Sequence, residues 1–132
     1  MREIKFRAWD KINKEIFNVE SINFQERKVY KDTVSYRKFN DIELMQYTGL
    51  KDKNNKEIYD GDILSDGNDE KPYKVIFENG SFRAEFEGDF EEYSFDLINI
   101  VAQGCEVVGN IYENPELIKE WDDEILKNKN NR

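Results

Sequence analysis

Short runs of alternating apolar and charged residues, each closed by a polar turn, constrain this chain more than any other feature. A period of two puts one face of a strand inward and the other outward. Ile4, Phe6 and Ala8 alternate in this way with Glu3, Lys5 and Arg7. Lys11-Ile12-Asn13-Lys14 reads as a turn, and residues 15–19 as the returning strand of a hairpin. Residues 21–30 alternate again through Ile22, Phe24 and Val29, and Val34, Tyr36 and Phe39 mark a further short strand or irregular edge. Residues 25–40 hold few apolar anchors and are expected to be the most mobile part.

The centre repeats the pattern. Residues 44–48 read as a strand, Gly49 opens a turn that residues 52–56 complete, and residues 58–64 form a strand bent at Gly61. Residues 65–71 are a polar loop. Asn79-Gly80, between strands at 73–77 and 81–86, is the strongest hairpin signal, because both residues tolerate the left-handed backbone that a tight primed turn requires. Residues 95–101 and 106–112 supply the last strands. Asn114-Pro115-Glu116 then opens a helix: Asn caps, Pro suits the first turn, and Glu opposes the positive end of the dipole. Leu117, Ile118, Trp121, Ile125 and Leu126 recur at helical spacing, so the helix is expected over 114–126 with Trp121 as its buried anchor.

These elements add up to a mainly β fold: one domain over 1–126, with an N-terminal hairpin and extension at 1–40, a barrel-like core at 41–113 and one C-terminal helix. Residues 127–132 read as a disordered tail. The length of 132 residues suits a single domain. Leu and Val are sparse, but nine Phe, seven Tyr and two Trp provide an aromatic-rich core. The single cysteine, Cys105, forbids an internal disulfide and fits a reducing, cytoplasmic setting. No apolar run is long enough for a membrane helix.

The charge is split along the chain. Residues 1–40 carry ten Lys/Arg against six Asp/Glu, whereas residues 41–126 carry seven against twenty-three. From residue 84 to residue 118 there is no basic residue and there are nine carboxylates. A net charge of −9 argues against nucleic acid as a partner and favours basic ones. The split itself predicts self-association, with the basic hairpin of one copy beside the acidic surface of another, weakened by salt.

Three segments, in order, resemble the YopX family of phage and prophage proteins. They are Met1-Arg2-Glu3-Ile4-Lys5-Phe6-Arg7-Ala8-Trp9-Asp10; Met45-Gln46-Tyr47-Thr48-Gly49-Leu50-Lys51-Asp52 through Glu57-Ile58-Tyr59-Asp60-Gly61-Asp62-Ile63; and Glu106-Val107-Val108-Gly109-Asn110-Ile111-Tyr112-Glu113-Asn114-Pro115-Glu116-Leu117. Residues 18–43 and 65–104 look divergent. The resemblance implies a small β-rich domain with a barrel-like part, and implies no enzymatic activity.

Few residues invite chemistry. Tyr59-Asp60-Gly61-Asp62 has the pattern of a chain entering a strand of an SH3-like or open β-barrel, with Gly61 permitting the bend and Asp60 or Asp62 bonding turn amides. Its rival reading is a cation site built from Asp60, Asp62, Asp66, Asp69 and Glu70, but the calcium-loop order is absent, and zinc would lack both histidine and a second cysteine. No metal or cofactor is therefore expected. Cys105, beside Glu106, reads as a buried inert thiol, its pKa raised by the neighbouring acid. Without histidine the commonest general base is missing. Trp9, Tyr47, Tyr59, Phe77 and Tyr112 are each more consistent with core than with a recognition groove, the tyrosines being the better surface candidates. Arg2, Lys5, Arg7, Lys11 and Lys14 line the polar face of the hairpin and can contact phosphate. The candidate interaction surface is Trp9, Tyr47, Tyr59, Asp60, Asp62 and Tyr112. The sequence reading is thus a non-enzymatic protein that binds a host or phage protein, or itself, through its β surface. Its alternatives are an acidic nucleic-acid mimic using residues 84–118, and a carboxylate- or metal-dependent enzyme.

Overall fold

A computed structural model of the chain describes residues 3–67, 72–87, 92–101 and 104–118. Strands β1 (Phe6–Asp10) and β2 (Glu15–Asn18) form the expected N-terminal hairpin. β3 (Ser21–Asn23), β4 (Lys28–Tyr30) and β5 (Tyr36–Lys38) make a small antiparallel sheet. A single 3-10 turn at Phe39–Asp41 leads into the long β6 (Ile42–Lys51). β7 (Glu57–Tyr59), β8 (Asp62–Ser65), β9 (Tyr73–Glu78), β10 (Ser81–Glu87) and β11 (Glu92–Asp96) follow, then helix α1 (Leu97–Val101) and β12 (Glu106–Asn110).

Two larger sheets carry the fold, in strand orders β2-β1-β6-β7 and β11-β10-β9-β8-β12. The protein is mainly β, its sheet curled into a half-barrel. The run of residues 57–65 crosses from one sheet to the other at Gly61, whose φ of +85° lies in the left-handed region that side chains avoid. A β-carbon there would also stand 3.0 Å from the Met45 Cε. The bend read at Gly61 is therefore a change of sheet.

β6 is apolar on both faces. Ile42 and Leu44 join Ala8, Phe17 and Val29 in one cluster, whereas Met45 and Tyr47 join Tyr59, Ile16 and Tyr112 in another. A third and larger cluster gathers Ile58, Leu64, Val75, Ala84, Leu97, Ile100 and Cys105 inside the second sheet.

Asn79 and Gly80 take φ of 52° and 82° at the β9–β10 turn, the left-handed pair expected there. Three expectations are corrected. Residues 25–40, expected to be mobile, include two paired strands pinned by Val29, which is fully buried against Ala8 and Phe17. Gly49 does not open the turn: β6 runs on to Lys51 through a register shift, and the turn lies at 52–56. Residues 97–101, expected as strand, form a helix because Leu97 and Ile100, three apart, both point into the core. Residues 116–118 are helical. The remainder of residues 114–126, with Trp121, and the tail 127–132 lie outside the described residues.

Candidate functional site

The turn from β7 into β8 is built by one carboxylate. Asp62 accepts a hydrogen bond from the Tyr59 amide at 2.8 Å and pairs with the Arg7 guanidinium reaching over from β1. That guanidinium also lies 4.5 Å from the centroid of the Tyr59 ring, and its Nε donates to the Met45 Sδ at 3.4 Å. Asp62 is 1% exposed. Burial pushes its carboxyl pKa up against the opposing pull of Arg7 and the Tyr59 amide. Asp60 turns the other way and accepts from the Gln46 amide at 3.1 Å. Asp62 thus bonds an amide at the turn, as the sequence suggested, whereas Asp60 reaches across to an amide within β6.

Arg7 is not one of a row of surface cations: it is drawn inward against Asp62. The face of β1 opposite Ala8 was expected to meet solvent, but the Met45–Tyr47–Tyr59 cluster covers it. Its neighbours are engaged as well: Lys5 pairs with Glu57 and, at 3.2 Å, with Glu3, and Lys11 pairs with Glu43 at 3.1 Å. The bond with Glu57 holds the Lys5 pKa well above the usual lysine range. Arg2 lies outside the described residues.

The six candidate surface residues separate into two groups. Tyr47 and Tyr59 are 4% and 6% exposed, their rings 5.6 Å apart, and with Asp62 they belong to the interior. Burial raises both phenol pKa values, and the cation of Lys5, 5.0 Å from the Tyr47 ring, gives that ring a polar neighbour. Trp9, Asp60 and Tyr112 are half-buried and gather at one side of the half-barrel. Trp9 stacks on Tyr112 with centroids 5.9 Å apart and planes 13° from parallel. Tyr112 is shared by two open grooves. One, of about 670 Å³, is lined by Trp9, Lys14, Pro115 and Glu116; the other, of about 320 Å³, by Asp60, Lys74, Ile76, Phe77 and Ile111. Phe77 is 59% exposed, which reverses the expectation that tyrosines rather than phenylalanines reach the surface. It sits at the far end of β9, past the last residue that β8 covers.

That end of β9 has a second property. β8 pairs with β9 only through Tyr73 and Lys74, and the Gly61 amide donates to the Val75 carbonyl. Beyond Val75, among the described residues, β9 is paired with β10 alone. The outer backbone edge of residues 76–78 thus borders the second groove.

Other chemistry is consumed by structure. Cys105 is fully buried and its thiol donates to the Ile100 carbonyl at 3.2 Å. Burial first, then Asp66, raises its pKa; the acid that acts is Asp66 and not the expected neighbour Glu106. Among the described residues no three His, Cys, Asp or Glu side chains gather to hold a metal; Asp69 and Glu70 lie outside them. Of the acids at 84–118, Glu85 pairs with Lys74 and Asp96 with Arg83, while Glu106 accepts from Asn54.

The sequence reading did not single out a set of buried side chains that organise the turns. Asp10 accepts from the Ile12 and Asn13 amides and from Arg37 Nε. Asp52 accepts from the Asn54, Lys56 and Val107 amides, and Asn110 from those of Tyr112 and Glu113. An Asp or Asn opening a polar turn was the available signal; the distant partners were not visible.

The YopX protein family model matches residues 5–119. Among solved structures, the crystal structure of protein EF1440 from Enterococcus faecalis is similar, with 32% sequence identity and a TM-score of 0.71, covering 89% of this chain and 99% of that one. A comparison with curated proteins returns no match. Among the described residues no helix is long and apolar enough to cross a membrane.

Proposed function

This chain belongs to the YopX family, and from that premise we propose that it is a non-enzymatic phage or prophage accessory protein, acting in the host cytoplasm, that binds another protein through the Trp9–Tyr112 side of its half-barrel. The observation that carries this reading is the stacked Trp9–Tyr112 pair set between two open grooves, one of them bordered by the edge of β9 that is unpaired among the described residues. An extended segment of a partner adds to such an edge by backbone hydrogen bonds, and aromatic walls give it side-chain pockets. Half-buried aromatics are also where binding energy concentrates at interfaces. A second copy of this chain offers the same edge chemistry, so self-association falls under the same reading.

Affinity capture from host lysate, read by mass spectrometry, tests it when the parent protein is compared with the Trp9→Ala/Tyr112→Ala variant. The reading expects a defined set of proteins, or the chain itself, to be retained by the parent and lost from the folded variant. Equal retention by both would overturn it. Capture of DNA-binding proteins that survives the double substitution and is displaced by DNA would point instead to the acidic mimic.

A further inference from the structure

A third cavity, of about 290 Å³, opens between β1, the start of β8 and the turn at 110–114, lined by Arg7, Lys56, Asp62, Gly109, Asn110, Glu113 and Asn114. The β12 strand makes it room: its register with β8 shifts between Val107 and Gly109, turning Val108 outward. Such bulges commonly re-aim backbone beside functional sites.

Hydrogen-bond accounting at this cavity is one-sided. A guanidinium has five N–H donors. Arg7 gives Nε to Met45 and Nη2 to Asp62, and among the described residues Nη1 meets no acceptor, although the side chain is only 12% exposed. The Lys56 ammonium makes no direct ion pair among the described residues, although it acts on the carboxyls of Asp52 and Asp62, and the Asn114 amide nitrogen has no acceptor there. The acceptors, by contrast, are taken. Asp62 Oδ1 holds Arg7 and its Oδ2 holds the Tyr59 amide. Asn110 Oδ1 holds the Tyr112 and Glu113 amides, and Asn114 Oδ1 holds the Asn110 amide. Glu113 Oε1 accepts from the Asn110 amide nitrogen at 2.9 Å.

Three donor groups, two of them cationic, therefore face one small cavity whose own acceptors are nearly exhausted. Arg7, only 12% exposed, is the donor whose unmet N–H is costly, whereas Lys56 is exposed and Asn114 half-buried; charge-assisted bonds to an oxyanion are the strongest way to satisfy the guanidinium. We propose that this cavity binds a small oxyanion, a carboxylate or a phosphate, held between Arg7 Nη1, Lys56 Nζ and the Asn114 amide. Asp62 orients the guanidinium as a second acceptor would in any arginine fork. Because Asp62 and Glu113 balance the two cations, the site takes an anion of low charge. The inference does not depend on the partner-binding reading above: its donors are Arg7, Lys56 and Asn114, although Glu113 borders both this cavity and the Trp9 groove.

Nitrogen-15 NMR titration tests it, with inorganic phosphate and with acetate separately, each at constant ionic strength against chloride. The expected result is a saturable shift confined to the Gly109 and Asn110 amides and the Arg7 Nε. Lys56→Gln should weaken it about tenfold, the loss of one charge-assisted bond. Lys53→Gln, on the same exposed turn but not lining the cavity, should leave it unchanged, and well-dispersed spectra of both variants verify their folds. Saturation by phosphate alone or acetate alone identifies the source of the oxyanion. Shifts that never saturate, that chloride reproduces, or that Lys56→Gln leaves intact would overturn the proposal.

Discussion

Asp10 shows how much a single side chain can hold. It is fully buried, yet its carboxylate accepts from two turn amides, from the Asn13 side chain at 3.1 Å and from Arg37 at 2.7 Å. Burial alone would raise its pKa; the hydrogen bonds win and lower it from 3.8 to about 2. Asp52 is lowered in the same way, its amide bonds again overcoming burial. A carboxyl with a depressed folded-state pKa gives stability that is fully present above its unfolded value and is lost as pH falls through the folded one. For Asp10 that window runs from 3.8 down to about 2. Asp62, with a raised pKa, runs the other way, because ionising it in the interior opposes folding. Asp10→Asn should therefore cost on the order of 2 kcal/mol at neutral pH, through the loss of the charged acceptor for Arg37. It should also flatten the acid limb of stability. Urea midpoints measured between neutral pH and pH 2 check both. An unchanged acid limb would mean that other carboxylates govern acid unfolding.

At the scale of the element, the turn at 110–114 is the tightest piece of construction. A β-carbon on Gly109 would lie 2.5 Å from Asn114 Oδ1 and 3.0 Å from Asn114 Cβ. The Asn114 side chain is not free to withdraw, because it accepts the Asn110 amide at 3.2 Å. It was expected to cap the following helix and instead bonds back to the strand end; the helical turn receives its first bond from the Leu117 amide to the Asn114 carbonyl at 3.1 Å. Gly109→Ala should destabilise by about 1–3 kcal/mol, the usual cost of overpacking, and adding Asn114→Gly should recover part of it. Thermal or urea unfolding of the single and double variants decides this, and additive losses would refute the contact. Strands with a strong alternation and a Gly or Asn turn were legible from sequence: β1, β2, β9 and β10 fall where Phe6, Ile16, Val75 and Phe82 place them. The helix at Leu97–Val101 was not, because five apolar and polar residues fit either period. The crossing at Gly61 was read as a bend, since nothing local says which sheet the chain will join. Of the candidate surface, Trp9 and Tyr112 kept an open side while Tyr47 and Tyr59 did not. Burial on both faces of β6 depends on what packs from elsewhere, and no local pattern records it.

Across the whole molecule, part of the charge split is met inside one chain. Lys5, Arg7 and Lys11 of the N-terminal hairpin meet Glu57, Asp62 and Glu43 of the acidic half. Lys31 and Arg37 meet Glu15 and Asp10 nearer by. Three of the cations invoked for a salt-sensitive contact between copies, Lys5, Arg7 and Lys11, are thus already engaged. Light scattering at low and high salt should give the same mass, with the open edge of β9 rather than charge setting any association. A mass that falls as salt rises would restore the electrostatic contact between copies.

The buried Asp10 has one more consequence. It grips its turn through backbone amides, while Ile12 at the tip is 66% exposed. Asp52 grips residues 54 and 56 in the same manner, and side chains outside these bonds, such as Ile12, contribute little to holding the loops. Those positions can drift in sequence without loosening the frame. A lineage pressed to change what it touches can rewrite those tips generation after generation, keeping the half-barrel as an unaltered mount.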